Sequence, residues 1–190
     1  MIGGLILAAG AGTRFGERPK LLAELDGRPM LEHAIGAQCA VAELERVVVV
    51  LGAHAQELLA QVDFMRAEPV VCREWHRGQA ASLRHGVAAL EGASKVIVTL
   101  GDEPLVSSQV IARLMSEPPG ARAVYDGRPG HPVVLGAEQI RALSVLTGDR
   151  GARELLGDGP RIECAELCSG RDVDTPEDLE AIRHEDGAVL

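Results

Sequence analysis

The chain has 190 residues, 46% of them apolar, which is enough to bury one good core, so a single domain over 1–190 is expected. Its 28 acidic residues against 19 basic ones give a formal charge of −9, and only 2% of positions are aromatic. That balance excludes a general nucleic-acid binder, which needs a basic face to release counterions and aromatic platforms for unpaired bases.

The apolar run from Ile2 to Ala9 reads as a buried strand over 2–9, and it breaks abruptly into Gly10, Gly12 and Gly16. Glycine lets the backbone take positive φ and come close to a ligand, so that successive N–H groups can point at phosphate oxygens. Arg14, Arg18 and Lys20 then place three cations within seven residues of an acidic chain. The segment fits a loop that holds a polyphosphate; a tight strand-to-helix turn with solvated charges is the plainer alternative. Two familiar phosphate loops are set aside. The ATPase loop needs a Gly-Lys pair, and the chain has none. The dinucleotide fingerprint needs Gly-x-Gly-x-x-Gly and an acid after the second strand. Here the glycines are spaced Gly-x-Gly-x-x-x-Gly, and the strand predicted over 46–51 runs into Gly52-Ala53-His54. Position 20 is lysine in a chain that uses arginine 17 times and lysine twice. A compact ammonium suits a point-charge contact to phosphate, although Lys95 opens an ordinary strand.

Further along, helices are predicted over 29–41, 53–62 and 79–91, and strands over 46–51, 69–72 and 95–100. Gly78-Gln79-Ala80-Ala81-Ser82-Leu83 opens the third helix, where free N–H groups favour an anion or a polar base edge. The same segment reads equally as an ordinary helix start. The strand over 95–100 leads into Gly101-Asp102. In open α/β sheets ligands lie beyond the carboxyl ends of strands, so the glycine loop and Asp102 are expected on one rim. Asp102 also fits a turn former.

A helix over 107–116 precedes strands over 121–126 and 132–135. The stretch from Asp126 to Gly130 between them is a hairpin signal, which predicts at least one antiparallel pair. Helices over 137–145 and 150–156, a strand over 161–165 and a helix over 176–184 follow, and the tail from Glu185 is expected to fray. The last helix has proline at its first position and acids in its first turn, and either Asp174 or Thr175 can cap it. Asp172, two residues before Asp174 on extended chain, shares its face. The alternation of strands and helices argues for a mostly parallel sheet covered on both faces.

No stretch has the length of a membrane span, and no basic segment precedes the first apolar run, so a cytoplasmic enzyme is expected. Cys39, Cys72, Cys164 and Cys168 form no Cys-x-x-Cys pair and read as free thiols.

Five segments carry a resemblance. They are Leu7-Ala8-Ala9-Gly10 through Arg14-Phe15-Gly16 to Pro19-Lys20-Leu21-Leu22; Gly101-Asp102-Glu103-Pro104; Gly130-His131-Pro132-Val133; Gly148-Asp149-Arg150-Gly151-Ala152-Arg153; and Asp172-Val173-Asp174-Thr175-Pro176-Glu177-Asp178. In order and spacing they resemble the molybdenum-cofactor nucleotidyltransferases of the MobA-like NTP transferase family, especially the cytidylyltransferase branch. The resemblance covers nearly the whole chain. It implies a three-layer, Rossmann-like nucleotidyltransferase fold with an antiparallel strand in a mostly parallel sheet. It also implies transfer of CMP from CTP to the phosphate of a molybdopterin-type acceptor, with a molybdoenzyme receiving the product. Ala9 stands where the GTP-using branch tends to have a second glycine.

Such a reaction brings two phosphate-bearing molecules together, and each unit pair of charges at 4 Å is worth about 4 kcal/mol at an effective dielectric near 20. Mg2+ offsets that repulsion with one or two carboxylates; Asp102 and Asp174 are the expected ligands. Arg14, Lys20 and Asp102 are the expected catalytic residues. The resemblance further implies nucleotide contacts at Leu7, Ala8, Ala9, Gly10, Gly12, Thr13, Arg14, Lys20, Gly78 and Ser82, and acceptor contacts at His131, Arg150 and Arg153. Alanines stand where the family usually has serines beside Ser82. A related transferase using GTP or a sugar or polyol phosphate, and a non-catalytic carrier of the cofactor, are the alternative expectations.

Overall fold

Seven strands assemble into one sheet in the computed structural model, which describes residues 1–16 and 18–186. In chain order the elements are β1 (Ile2–Ala8), β2 (Glu24–Leu25), β3 (Arg28–Pro29), α1 (Met30–Cys39), β4 (Arg46–Leu51), α2 (Ala55–Gln61) and β5 (Glu68–Val71). They continue with α3 (Gln79–Ala89), β6 (Lys95–Leu100), α4 (Ser108–Met115), β7 (Arg122–Tyr125), β8 (Arg128–Gly136), α5 (Ala137–Ala142), β9 (Arg161–Glu163) and α6 (Pro176–Asp186).

The large sheet has the order β5-β4-β1-β6-β8-β7-β9. Strands β5, β4, β1 and β6 run parallel, and β8 is reversed against both β6 and β7. Alternate residues face opposite layers, as a doubly covered sheet requires. Ile6, Val49 and Ile97 pack with α1, α2, α4 and α6, whereas Leu5, Leu7, Val48, Val50 and Val98 pack with α3 and the turns after α5. This is the expected three-layer, Rossmann-like arrangement. From β1 the chain crosses to β4 on one side, while β6 lies on the other. The crevice between the ends of β1 and β6 is therefore the switch point at which such sheets bind ligands.

Three expectations are corrected. The β7–β8 turn uses only Asp126 and Gly127, both at positive φ (49° and 77°), so Arg128 already pairs with Tyr125 and β8 is longer than the predicted 132–135. The helix expected over 150–156 is a short 3-10 turn, Ala152–Leu155, bracketed by Gly151 and Gly157. The one expected over 137–145 ends as α5 at Ala142 and tightens into a 3-10 turn, Leu143–Val145. A further hairpin, β2–β3, turns on Asp26 and Gly27 with φ of 50° and 75°, the same dipeptide as the other hairpin. Helix α6 runs two residues past the expected 184, and residues 187–190 of the expected fraying tail lie outside the described residues. No described helix is long and apolar enough to cross a membrane.

Candidate active site

Just past β1 the chain turns at Gly12, in the left-handed region with φ 59°, and closes a 3-10 turn over Thr13–Phe15 through Phe15 N–H to Gly12 C=O (2.9 Å). A side chain at Gly12 would stand 3.0 Å from Lys20 Cβ, so the absent Cβ lets the loop double back against the lysine stem. Lys20 is buried, and its Nζ reaches Asp102 Oδ2 at 2.6 Å and Asp174 Oδ1 at 3.1 Å. Arg14 Nη2 lies 2.7 Å from Asp174 Oδ2. Desolvation pulls the Lys20 pKa down, but Asp102 and Asp174 outweigh it and hold the ammonium above its ordinary 10.5.

Backbone bonds explain why residues so distant in sequence meet. Gly101 N–H donates to Leu7 C=O (2.9 Å), carrying the β1–β6 ladder to the turn that holds Asp102. Val173 N–H donates to Asp102 C=O (2.9 Å), which lays the Asp174 segment against the same turn. The capping alternative resolves in favour of Thr175. Asp178 N–H donates to Thr175 Oγ1 (3.2 Å), and Thr175 N–H donates to Asp178 Oδ2 (2.8 Å), a reciprocal capping box. Asp174 is released from capping and turns to Lys20 and Arg14. Asp172 is exposed. The described residues hold no group of three or more His, Cys, Asp or Glu side chains suited to a metal. Two carboxylate oxygens on one ammonium are nevertheless a donor set that fits a hard divalent cation, which needs one or two carboxylates beside phosphate oxygens.

A small cavity of about 70 Å³ is lined by Leu7, Ala8, Gly10, Gly12, Lys20, His54 and Asp102, among others. Beside it lies a cleft of about 350 Å³ between the glycine loop and the start of α3, within the range of small-molecule sites. Leu7, Ala9, Gly10, Gly78, Ser82 and Asp102 line it, joined by Trp75, His76, Gln79, Leu100, Ala11 and Asp149. Thr13 and Arg14 stand on the exposed 3-10 turn. Gly78, at φ 97°, lies so close to Gly148 that an added Cβ would sit 2.3 Å from its carbonyl carbon. With Ala80 N–H bonded to Gly148 C=O (3.0 Å), this contact brings the Gly148–Arg153 segment to the cleft.

The residues expected to meet the acceptor are more dispersed. His131 is 4% exposed, and its Nδ1 lies 2.9 Å from Glu103 Oε1, inside the fold. Arg153 Nη2 lies 3.4 Å from the same nitrogen. Arg150 pairs with Glu154 at 3.2 Å on the surface. Sequence reasoning missed His54, whose Nε2 contacts Ala11 C=O at 3.0 Å and props the glycine loop, and Trp75, packed where Gly52 has no Cβ. The signal was available for His54, because Gly52-Ala53-His54 leaves β4 on the same rim as the glycine loop. The four cysteines are free, and burial pushes the Cys39 and Cys164 thiols up, away from reactive thiolate.

Residues 4–163 match the family described as the MobA-like NTP transferase domain. The chain is 36% identical over 191 residues to nicotine blue oxidoreductase of Paenarthrobacter nicotinovorans, covering 93% of each protein. It superposes on the crystal structure of a Mycobacterium tuberculosis Rv0371c homologue from Mycobacterium sp. strain JC1 with a TM-score of 0.83 and 25% identity, covering 100% of this chain and 98% of that one. A structure of Rv0371c from Mycobacterium tuberculosis in complex with manganese gives a TM-score of 0.74 at 26% identity, covering 96% and 98%.

Proposed function

The chain belongs to the MobA-like NTP transferase family, a family of nucleotidyltransferases, and from that premise we propose that it transfers CMP from CTP to the phosphate of a molybdopterin-type cofactor, in a Mg2+-dependent reaction. One observation carries this reading: Arg14, Lys20, Asp102 and Asp174 arrive from three stretches of chain and meet at one point of the rim. An oxygen of the acceptor phosphate attacks the nucleotide α-phosphorus in line. The α–β phosphoanhydride bond breaks, and pyrophosphate leaves with the bonding electron pair. Lys20 and Arg14 offset the charge of the triphosphate, and the glycine loop presents its N–H groups. Asp102 and Asp174 would hold the divalent ion, which would neutralise phosphate charge; a structural relative solved in complex with manganese supports the use of a divalent metal. Gly78 and Ser82 flank the base and ribose, and Arg150 and Arg153 meet the acceptor phosphate. No covalent enzyme intermediate is needed, so positioning and charge stabilisation supply most of the rate.

Pyrophosphate release from CTP, GTP, ATP and UTP, offered with the pterin cofactor or with sugar and polyol phosphates, tests this reading. Release confined to CTP and the pterin upholds it. Release with another pair keeps the reaction class and replaces the substrates. Thermal melting with each triphosphate ranks the bases, since a ligand at a hundredfold its Kd stabilises by about 2.7 kcal/mol.

A second reading follows from the 36% identity to an oxidoreductase over nearly the whole chain. A loop that receives a triphosphate can also receive the pyrophosphate of a nicotinamide dinucleotide. Oxidation of the reduced dinucleotide by nicotine blue, unaffected by Asp102→Asn and without pyrophosphate release, favours that reading over transfer.

A further inference from the structure

Resting on the nucleotidyl-transfer reading, we infer that His131 and Glu103 are positioning residues that fix the metal-holding carboxylate Asp102, and that His131 does not serve as an acceptor contact. The ladder between β6 and β8 ends at Val98 and Val133. Beyond it, on the β8 side, the chain from Thr99 to the Asp102 turn has no strand partner. Glu103 crosses that gap. Its Oε1 lies 2.9 Å from Nδ1 of His131, two residues before Val133 on the reversed strand. His131 is itself anchored, because the Tyr125 hydroxyl donates to its carbonyl at 2.6 Å from β7.

A chain of contacts therefore runs from Tyr125 of β7 through His131 to Glu103, the residue beside Asp102. From the opposite side, Val173 N–H grips the Asp102 carbonyl at 2.9 Å and carries Asp174 with it. The spacing of the two acids is set by both ties.

Burial argues in the same direction. Glu103 is 2% and His131 4% exposed, and unlike the buried Lys20 neither lines the cavity or the cleft beside the glycine loop, where a phosphate arrives. Glu103 Oε2 is buried without a hydrogen-bond partner among the described residues, an arrangement that costs stability. An apolar residue at 103 avoids that cost. What the carboxylate gives in return is a fixed turn. Groups that orient metal-holding side chains typically matter 10- to 100-fold, in binding or in rate, without touching the ion.

Mn2+ binding to the full chain in the presence of CTP, followed by electron paramagnetic resonance, tests the assignment alongside the melting temperature. His131→Ala is expected to weaken Mn2+ binding about 10- to 100-fold. His131→Gln, whose amide still donates to Glu103 Oε1, is expected to recover most of it. A folded His131→Ala with wild-type Mn2+ affinity overturns the inference, whether or not its melting temperature drops, because an acceptor contact or a purely structural residue behaves that way. Should His131→Ala not fold, Glu103→Leu carries the same expectation and the same refutation. If the wild-type chain binds no Mn2+ even with CTP, the metal reading of Asp102 and Asp174 fails first and the positioning role falls with it.

Discussion

At the ends of β1 and β6, Arg14, Lys20, Asp102 and Asp174 meet across as many as 160 positions of sequence, with Lys20 buried among them. Around the Gly148–Leu155 turn, by contrast, Arg150 finds Glu154 only four residues away, and both side chains stay at least half exposed. The difference separates two uses of charge. A local, exposed pair forms because a tight turn makes neighbours of its members, and it is worth little. A long-range cluster has to desolvate an ammonium and order several loops, which stability alone does not require. Convergence of that kind marks chemistry.

The sharpest way to break the comparison is Asp102→Asn. It keeps the shape of the side chain and leaves Lys20 its contact to Asp174. Loss of one preorganised charge of this kind typically costs about 10²–10³ in rate, or about 2.7–4 kcal/mol. Pyrophosphate release is expected to fall by that much while the melting temperature stays close to wild type; a rate within a few-fold of wild type removes Asp102 from the chemistry.

Lys20→Met comes next, with an expected fall of about 10² in rate and a signature in stability as well. Asp102 and Asp174 raise the folded-state pKa of Lys20 above 10.5. Its contribution is fully present below 10.5, the unfolded value, and is lost as pH rises through the folded value. Urea melts across the alkaline range are expected to show wild-type stability declining above 10.5 more steeply than that of the variant. Parallel curves for the two proteins show that Lys20 is not held by the acids in solution.

Much of the rim was legible in the sequence because each of its parts announces itself locally. Gly10, Gly12 and Gly16 interrupt an apolar strand, and Asp102 ends another, so topology alone brings them together. Asp174 was harder, since a carboxylate ahead of a helix is also a cap; the choice turned on the Thr175–Asp178 box, a matter of side-chain geometry. His131 was placed by its motif at the acceptor. Its burial depends on the strand β8 reaching past Pro132 to Arg128 and on an acid at 103, neither of which follows from spacing. The Asp26-Gly27 hairpin was readable by the rule that flagged the stretch from Asp126 to Gly130, but its two-residue strands leave almost no apolar alternation to mark it.

A smaller effect probes how Asp174 is presented. Thr175→Ala removes one half of the capping box and is expected to cost about 1 kcal/mol in a denaturant titration. It also frees Asp174 to compete for the exposed N–H groups of α6, so Mn2+ affinity should drop along with stability. A stability loss with unchanged Mn2+ binding means that the Val173 bond to Asp102 places Asp174 without help from the cap.

The smallest expected change is also the one that decides whether the two regions really differ. The Arg150–Glu154 pair is exposed, with 58% and 50% of the two side chains accessible, so Arg150→Ala should cost no more than about 1 kcal/mol in stability. If Arg150 leaves Glu154 to meet the acceptor phosphate, the KM for acceptor rises while kcat holds, because the lost contact is made equally in ground and transition states. The rise should shrink as salt is added, since exposed charges are screened over about 8 Å at physiological ionic strength. An unchanged KM assigns Arg150 to its neighbour alone. Recognition of the acceptor then falls to Arg153 and the cleft walls, and the local pair stays what its spacing made it.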